Sequence, residues 1–158
     1  MLKVRLIQIG KNQETFIEAG IGFYENKLRH YCQFENLILP ALKQTGTLSK
    51  DDLRKKEGEL LIKHLNAKSW VVLLDERGKQ HDSLQWAETL GKWTVAGQSQ
   101  IDFLIGGAFG FSEQIYARAN YQLSLSKMTF SHQLIRIIFL EQLYRMFTIL
   151  KNEPYHHT

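Results

Sequence analysis

Three glycines fall within five residues at Gly106, Gly107 and Gly110, in the run Ile105-Gly106-Gly107-Ala108-Phe109-Gly110. Glycine permits positive φ and lets a ligand approach the backbone closely. The spacing is neither the G-x-G-x-x-G dinucleotide fingerprint nor a P-loop, since no Gly-Lys-Ser/Thr follows. A tight turn without a ligand explains this run as well as a ligand cradle does. Hydroxyls and one charge follow in Ser124-Leu125-Ser126-Lys127-Met128-Thr129-Phe130. Such residues cap helices and satisfy loop backbone by default. A Ser-Lys hydrolase pair would need companion motifs that are absent.

Farther on, His132 and Arg136 are four residues apart, as are Glu141 and Arg145, and each pair shares a helix face. Taken alone, Glu141–Arg145 reads as a surface ion pair and His132 as a capping histidine. The helix carrying them is so apolar, however, that its polar groups need partners or a pocket. Tyr155-His156-His157 ends the chain without a C-x-x-C or H-E-x-x-H partner, so no metal is expected.

A chain of 158 residues holds one domain with a sizeable core. With 44% hydrophobic and 23% charged residues, it reads as globular. The formal charge of +4 is compatible with an anionic partner without requiring one. Cys32 is the single cysteine, which excludes an internal disulfide and reads as a buried, inert thiol. The start lacks a signal peptide's apolar core, and no run approaches the roughly 18 apolar residues of a membrane span. The cytoplasm is the expected location.

Strands and helices alternate along the chain, which predicts an α/β domain. Residues 2–9, 33–39, 70–74, 101–105 and 121–125 read as strands. The unbroken Trp70-Val71-Val72-Leu73-Leu74 suits a parallel strand buried on both faces. A helix over 13–30 places Phe16, Ile17, Ile21, Tyr24 and Leu28 on one side. Ser49 with Asp52 predicts a capping box for a helix to about Leu65. The charge run of that helix, 50–57, reads as a solvated face. Asp75-Glu76-Arg77-Gly78-Lys79 is expected to turn the chain. Asp82 and Gln85 open a helix to about Trp93, and Ser112 caps a short one over 113–119. The last helix, 132–150, is apolar on nearly every side, which suggests that a second subunit covers part of it.

Five segments together resemble the YbeA-like family of bacterial large-subunit rRNA pseudouridine N3-methyltransferases, of the SPOUT class. They are Leu73-Leu74-Asp75, Phe103-Leu104-Ile105-Gly106-Gly107, Leu123 through His132-Gln133, Glu141-Gln142-Leu143-Tyr144-Arg145 and Pro154-Tyr155-His156. The resemblance spans essentially the whole chain. It implies a single SPOUT domain over 1–158 with a trefoil knot in about 101–150, a parallel central sheet flanked by helices, and a homodimer. It also implies S-adenosylmethionine as cofactor, held by Leu74, Gly106, Leu125, Ser126, Lys127, Met128, Thr129 and Phe130. The implied reaction is methyl transfer to N3 of a pseudouridine in 23S rRNA, within the large subunit or assembled ribosome. His132, Arg145, Tyr155 and His156 are the candidate catalytic residues. His156 could accept a proton, while Arg136 and Lys127 could contact phosphate. Ser131 stands where many members carry proline; a serine there can cap the helix that follows.

Two other readings fit the residues: a SPOUT enzyme acting on another RNA nucleotide, and a non-catalytic ribosome-binding dimer. A metabolic nucleotide-binding enzyme fits less well, because no phosphate cradle is found.

Overall fold

All five strands run parallel in one sheet, in the order β2-β1-β4-β3-β5. The computed structural model describes residues 1–43 and 45–157, without the side chain of Thr45. In chain order the elements are β1 (Lys3–Ile9), α1 (Thr15–Leu28), β2 (Gln33–Leu39), a short 3-10 turn (Thr45–Thr47), α2 (Lys50–His64) and β3 (Trp70–Gln80). They continue with α3 (Ser83–Val95), β4 (Gln100–Ile105), α4 (Glu113–Arg118), β5 (Tyr121–Ser124) and α5 (Leu134–Leu150).

The middle of the sheet is apolar on both faces, as its sequence predicts. Val72, Ile101, Phe103 and Ile105 point into a core shared with α1, α3 and α5. Val71, Leu73 and Leu104 point the other way, toward Leu61 of α2 and Ile115 of α4. Helices therefore cover both faces, and the strands' carboxyl ends open on one side.

The caps fall where the residue types predict. Asp82 and Gln85 form a full capping box on α3, and Ser112 accepts from the Ile115 amide. At α2 only half of the expected box forms, with Ser49 accepting from the Asp52 amide. Ser131 Oγ accepts from the Leu134 amide at 3.1 Å and so supports the start of α5 in proline's absence. Cys32 is buried with its thiol toward Leu28 O, and burial pushes its pKa up to about 12.

Three expectations need correction. Residues 75–79 do not turn the chain. β3 continues to Gln80 and carries a bulge, so that Leu74 and Lys79 both register with Leu123 of β5. The partner strand supplies the pairing, and it lies more than forty residues ahead, beyond the reach of local turn signals. Gly78 is required there, because a Cβ would come within 2.7–2.8 Å of the Gln122 and Leu123 backbone. The charge run 50–57 is not wholly solvated, since Glu57 is 9% exposed. Phe16, expected on the buried stripe of α1, is 62% exposed, whereas Ile17, Ile21 and Leu28 are buried.

The apolar surface of α5 is largely satisfied within the chain. Phe139, Leu140, Leu143, Met146 and Phe147 are buried in the core shared with α1 and α3, leaving Leu134 and Leu150 as its exposed large apolar residues.

A charged pair ties the two central strands. Arg5 of β1 donates to Asp102 of β4 through Nε (2.8 Å to Oδ1) and Nη2 (2.6 Å to Oδ2), and Gln100 adds a third bond. Burial pushes the Asp102 carboxyl up, but these donors outweigh it and hold it below its ordinary value. A carboxyl depressed by folding stabilises the fold above its unfolded pKa, about 3.9, and loses that contribution as pH falls toward the folded value. Asp102→Asn is therefore expected to be less stable than the wild type near neutrality. The gap should narrow below about pH 4, as read by urea denaturation at stepped pH. A gap constant across that range would assign the loss to packing instead.

Candidate active site

Three segments converge at the carboxyl-terminal edge of the parallel strands, where open parallel sheets bind their ligands. They are the bulge after Leu74, the Gly-rich loop after Ile105 and the segment after Ser124. Together they line a cavity of about 410 Å³, within the size range of cofactor sites.

Each loop is braced by its own residues. Ser124 Oγ donates to Ser126 O at 3.0 Å, and Ser126 Oγ accepts from the Met128 amide at 2.9 Å. Thr129 Oγ1 donates to Glu76 at 2.9 Å and so joins the third loop to the first. Tyr116 of α4 donates a short bond to Asp75. Gly110, at φ +82, closes the Gly-rich turn by donating its amide to Gly107 O at 3.1 Å.

Of the expected cofactor residues, Leu74, Gly106, Leu125, Ser126, Met128, Thr129 and Phe130 line this cavity. Lys127 is exposed and is not among the lining residues. His132, at the approach to α5, also lines it. The lining includes Asp75, Glu76, Arg77, Phe111, Tyr116 and Ile135 as well, none of which their residue types alone single out for binding. For Asp75 and Glu76 a signal existed: acidic residues directly after a buried parallel strand sit at the ligand-binding edge of a sheet.

A second cavity of about 470 Å³ lies beside the first and shares the walls Leu125 and Phe130. His156, Gln142, Ile138, Trp86 and His81 are among its other lining residues. His156 arrives there because the tail folds back on α5. Asn152 takes the left-handed conformation (φ 56), which asparagine tolerates. The Glu153 amide donates to Thr148 O, and Tyr31 makes a short bond to Glu153. The Tyr155 ring meets Tyr144 edge-on at 4.8 Å.

The result is a fixed polar cluster. Arg145 donates to Glu141 Oε1 through Nη2 (2.5 Å) and Nε (3.1 Å). Its guanidinium lies 4.7 Å from the centre of the Tyr155 ring, and Tyr155 OH donates to the same Glu141 oxygen at 3.1 Å. Burial, followed by Glu141, pushes the Tyr155 phenol up to about 12, so it stays protonated. Arg145 Nη1 and His156 Nδ1 are 3.1 Å apart. Arginine has no acceptor, so Nδ1 must accept and Nε2 carries the hydrogen. In this arrangement His156 presents a donor.

Arg145, Tyr155 and His156 are thus brought together, whereas His132 lies at the neighbouring cavity. Glu141 belongs to the cluster, and only the i, i+4 spacing hinted at it. Arg136 does not reach a solvent-facing site. It is 2% exposed and donates to Asn12 Oδ1 (2.7 Å) and Ile9 O (3.2 Å). Its expected phosphate contact is therefore corrected: α5 turns this residue inward against the end of β1. Among the described residues, no group of acidic, histidine and cysteine side chains is arranged to hold a metal. No helix among them is long and apolar enough to cross a membrane.

A parallel α/β sheet with its cavity at the strand ends, beside a cluster built by the carboxyl-terminal tail, is the setting of a ligand-binding α/β enzyme, and the family match makes it a methyltransferase of the SPOUT class. The chain belongs to that family, whose model, described as "Predicted SPOUT methyltransferase", matches residues 2–156. It is similar to a protein of Christiangramia forsetii named Ribosomal RNA large subunit methyltransferase H, at 49% identity over 99% of both chains. Proteins of the same name from Parabacteroides distasonis and Flavobacterium johnsoniae are 46% and 45% identical, again over 99% of each chain.

Proposed function

We propose that this chain transfers a methyl group from S-adenosylmethionine to N3 of a pseudouridine in 23S rRNA on the large subunit or assembled ribosome, and works as a homodimer. The observation that carries this reading is the pair of adjoining cavities, one framed by glycine backbone and one reached by His156, which Arg145 holds, with Leu125 and Phe130 common to both. The relatives' name supports a large-subunit rRNA substrate. The pseudouridine and its N3 come with the YbeA-like resemblance.

The residues fit the cofactor. A Cβ on Gly106 would crowd Phe111 and Gly110 at 3.2–3.3 Å, so the loop has only backbone to offer there. Leu74, Ile105, Leu123, Leu125 and Ile135 give apolar walls suited to an adenine ring, and Ser126 and Thr129 add hydroxyls. We assign Leu74, Gly106 and residues 125–130 to binding; Lys127 would contribute through its backbone.

When bound, S-adenosylmethionine supplies an electrophilic methyl group on a sulfonium leaving group. The chain's own work is to hold the base in line and to favour loss of the N3 proton to water, since His156, with Nδ1 engaged by Arg145, is not free to take it; alignment contributes much of the rate. Arg145 and the Nε2–H of His156 are donors for the negative charge that develops on the ring. Tyr155, kept protonated, fixes Arg145 through Glu141 and through its ring. His132 at the first cavity is assigned to the reacting end of the site.

The knot belongs to the same reading. Leaving β5 at the sheet edge, the chain reaches the loop after β1 by Gln133, which bonds Gln13 and Lys11, and on the way Thr129 bonds the β3 bulge. Exposed Phe16 and Phe23 on α1, with Leu134 on α5, offer apolar surface for a second subunit.

Mass spectrometry of rRNA from cells lacking the protein tests the reading. The methylated pseudouridine should disappear from 23S rRNA and return with the wild-type chain. Unchanged 23S rRNA, with a methyl group lost elsewhere, would move the substrate to another RNA.

A further inference from the structure

Behind the Gly-rich loop, one face of α2 grips residues 107–112. Lys50 Nζ lies 5.2 Å from the centre of the Phe109 ring, and Arg54 Nη1 donates to Phe109 O at 3.4 Å. Gly58 abuts Ser112, the cap of α4. Between these contacts sits Glu57, against Gly107. A Cβ on Gly107 would meet the two Glu57 oxygens at 2.5 and 2.6 Å, so a side chain there would have to push this carboxylate out of its place.

Glu57 is buried, and among the described residues its Oε1 is the only buried carboxylate oxygen without a hydrogen-bond partner. No ion pair among the described residues includes it. The charged neighbours are otherwise engaged. On α2, Arg54 pairs with Asp51, and Lys50 rests over Phe109. On α4, Tyr116 bonds Asp75. At the cavity Asp75 also accepts from the Arg77 amide and faces its side chain, Glu76 is bonded by Thr129, and His132 stands among the lining residues. An unpaired buried carboxylate is costly to keep. Nothing else in the packing explains its place directly behind a cavity-lining glycine.

We propose that Glu57 is a specificity-determining residue of the cofactor cavity, whose uncompensated carboxylate behind Gly107 favours the cationic S-adenosylmethionine over the product, which has lost the sulfonium charge. The inference rests on the cofactor reading above. Burial raises the Glu57 carboxyl above its ordinary value. A positive occupant pulls it back down, and linkage makes that pull equal to the affinity gained. Only the Gly107 backbone stands between the Glu57 carboxylate and the cavity, and burial of the carboxylate weakens its screening by water. The bias would help a spent cofactor leave.

The test is calorimetric titration of the wild type and of Glu57→Gln with S-adenosylmethionine and, separately, S-adenosylhomocysteine. The variant should bind S-adenosylmethionine about five- to tenfold more weakly, with less than about a twofold change for S-adenosylhomocysteine. Equal losses for both ligands would make Glu57 a packing residue and overturn the proposal. Unchanged affinity for both ligands would show that Glu57 has no influence on the cavity and overturn it equally. If neither ligand binds the wild type, the cofactor reading itself fails and takes the proposal with it. Carboxyl-carbon NMR on the wild-type protein covers the case in which Glu57→Gln does not fold. Glu57 should titrate at a lower pH in the S-adenosylmethionine complex than in the S-adenosylhomocysteine complex, and identical titrations would refute the proposal.

Discussion

Arg145→Lys is expected to slow methyl transfer on the order of 10²–10³-fold, the loss typical when one preorganised donor to a developing negative charge is removed. S-adenosylmethionine affinity and thermal stability should barely move. The charge survives the substitution, so a purely electrostatic attraction for RNA would survive with it. What is lost is the planar fork. Arg145 uses Nε and Nη2 on one Glu141 oxygen, Nη1 on His156 Nδ1, and its flat face on Tyr155. A lysine ammonium cannot hold those directions at once. With Nη1 gone, His156 is no longer fixed in the tautomer that presents Nε2–H, so two donors loosen together. Single-turnover rates on saturating ribosomes, with calorimetric cofactor binding beside them, separate chemistry from binding. A variant with normal single-turnover rate and weakened ribosome binding would reassign Arg145 to holding RNA phosphate.

That cluster shows both the reach and the limits of sequence. The i, i+4 spacing placed Glu141 and Arg145 together on α5, and the pair forms. Nothing local says that the tail doubles back. The reversal depends on Asn152 taking φ 56 and on Tyr31, more than a hundred residues earlier, catching Glu153. Helix boundaries and caps were legible because each cap is a contact between residues three apart, as at Asp82–Gln85 and Ser112–Ile115. The bulge at 75–78 was not, because its shape is set by pairing with β5 across the sheet. Arg136 and Glu57 failed for a related reason. A charged letter predicts exposure, and only the packed neighbours reveal that α5 points one toward Ile9 O and α2 wedges the other against Gly107. Both positions lie at or behind the strand ends, where packing between distant elements rather than local sequence sets exposure.

Phe139→Ala should separate in the opposite sense, with a large loss of stability and intact chemistry in whatever remains folded. Phe139 is 0% exposed, and its ring sits 4.7 Å from that of Phe103 in β4, the strand that leads into the Gly-rich loop. Truncation of a fully buried phenylalanine costs about 3–5 kcal/mol through lost transfer energy and the cavity left behind. Against a typical total of about 5–15 kcal/mol this is roughly a fifth or more of the fold's margin. Phe139→Leu keeps most of the volume and should cost less than about 1.5 kcal/mol. Urea denaturation at one fixed protein concentration reads the difference as a lower midpoint with an unchanged slope. Below the new melting transition, turnover per folded molecule should match the wild type, because α5 still carries Arg145 in register with the tail. The reason to expect so strong a dependence is geometric. Phe139 sits at the middle of α5, in the core that this helix shares with α1, α3 and β4, whereas His132 and Arg145 lie toward the two ends. A loss below about 1 kcal/mol would mean that α5 is held chiefly by something outside this chain. A midpoint that climbed with protein concentration would then identify a second subunit as the support.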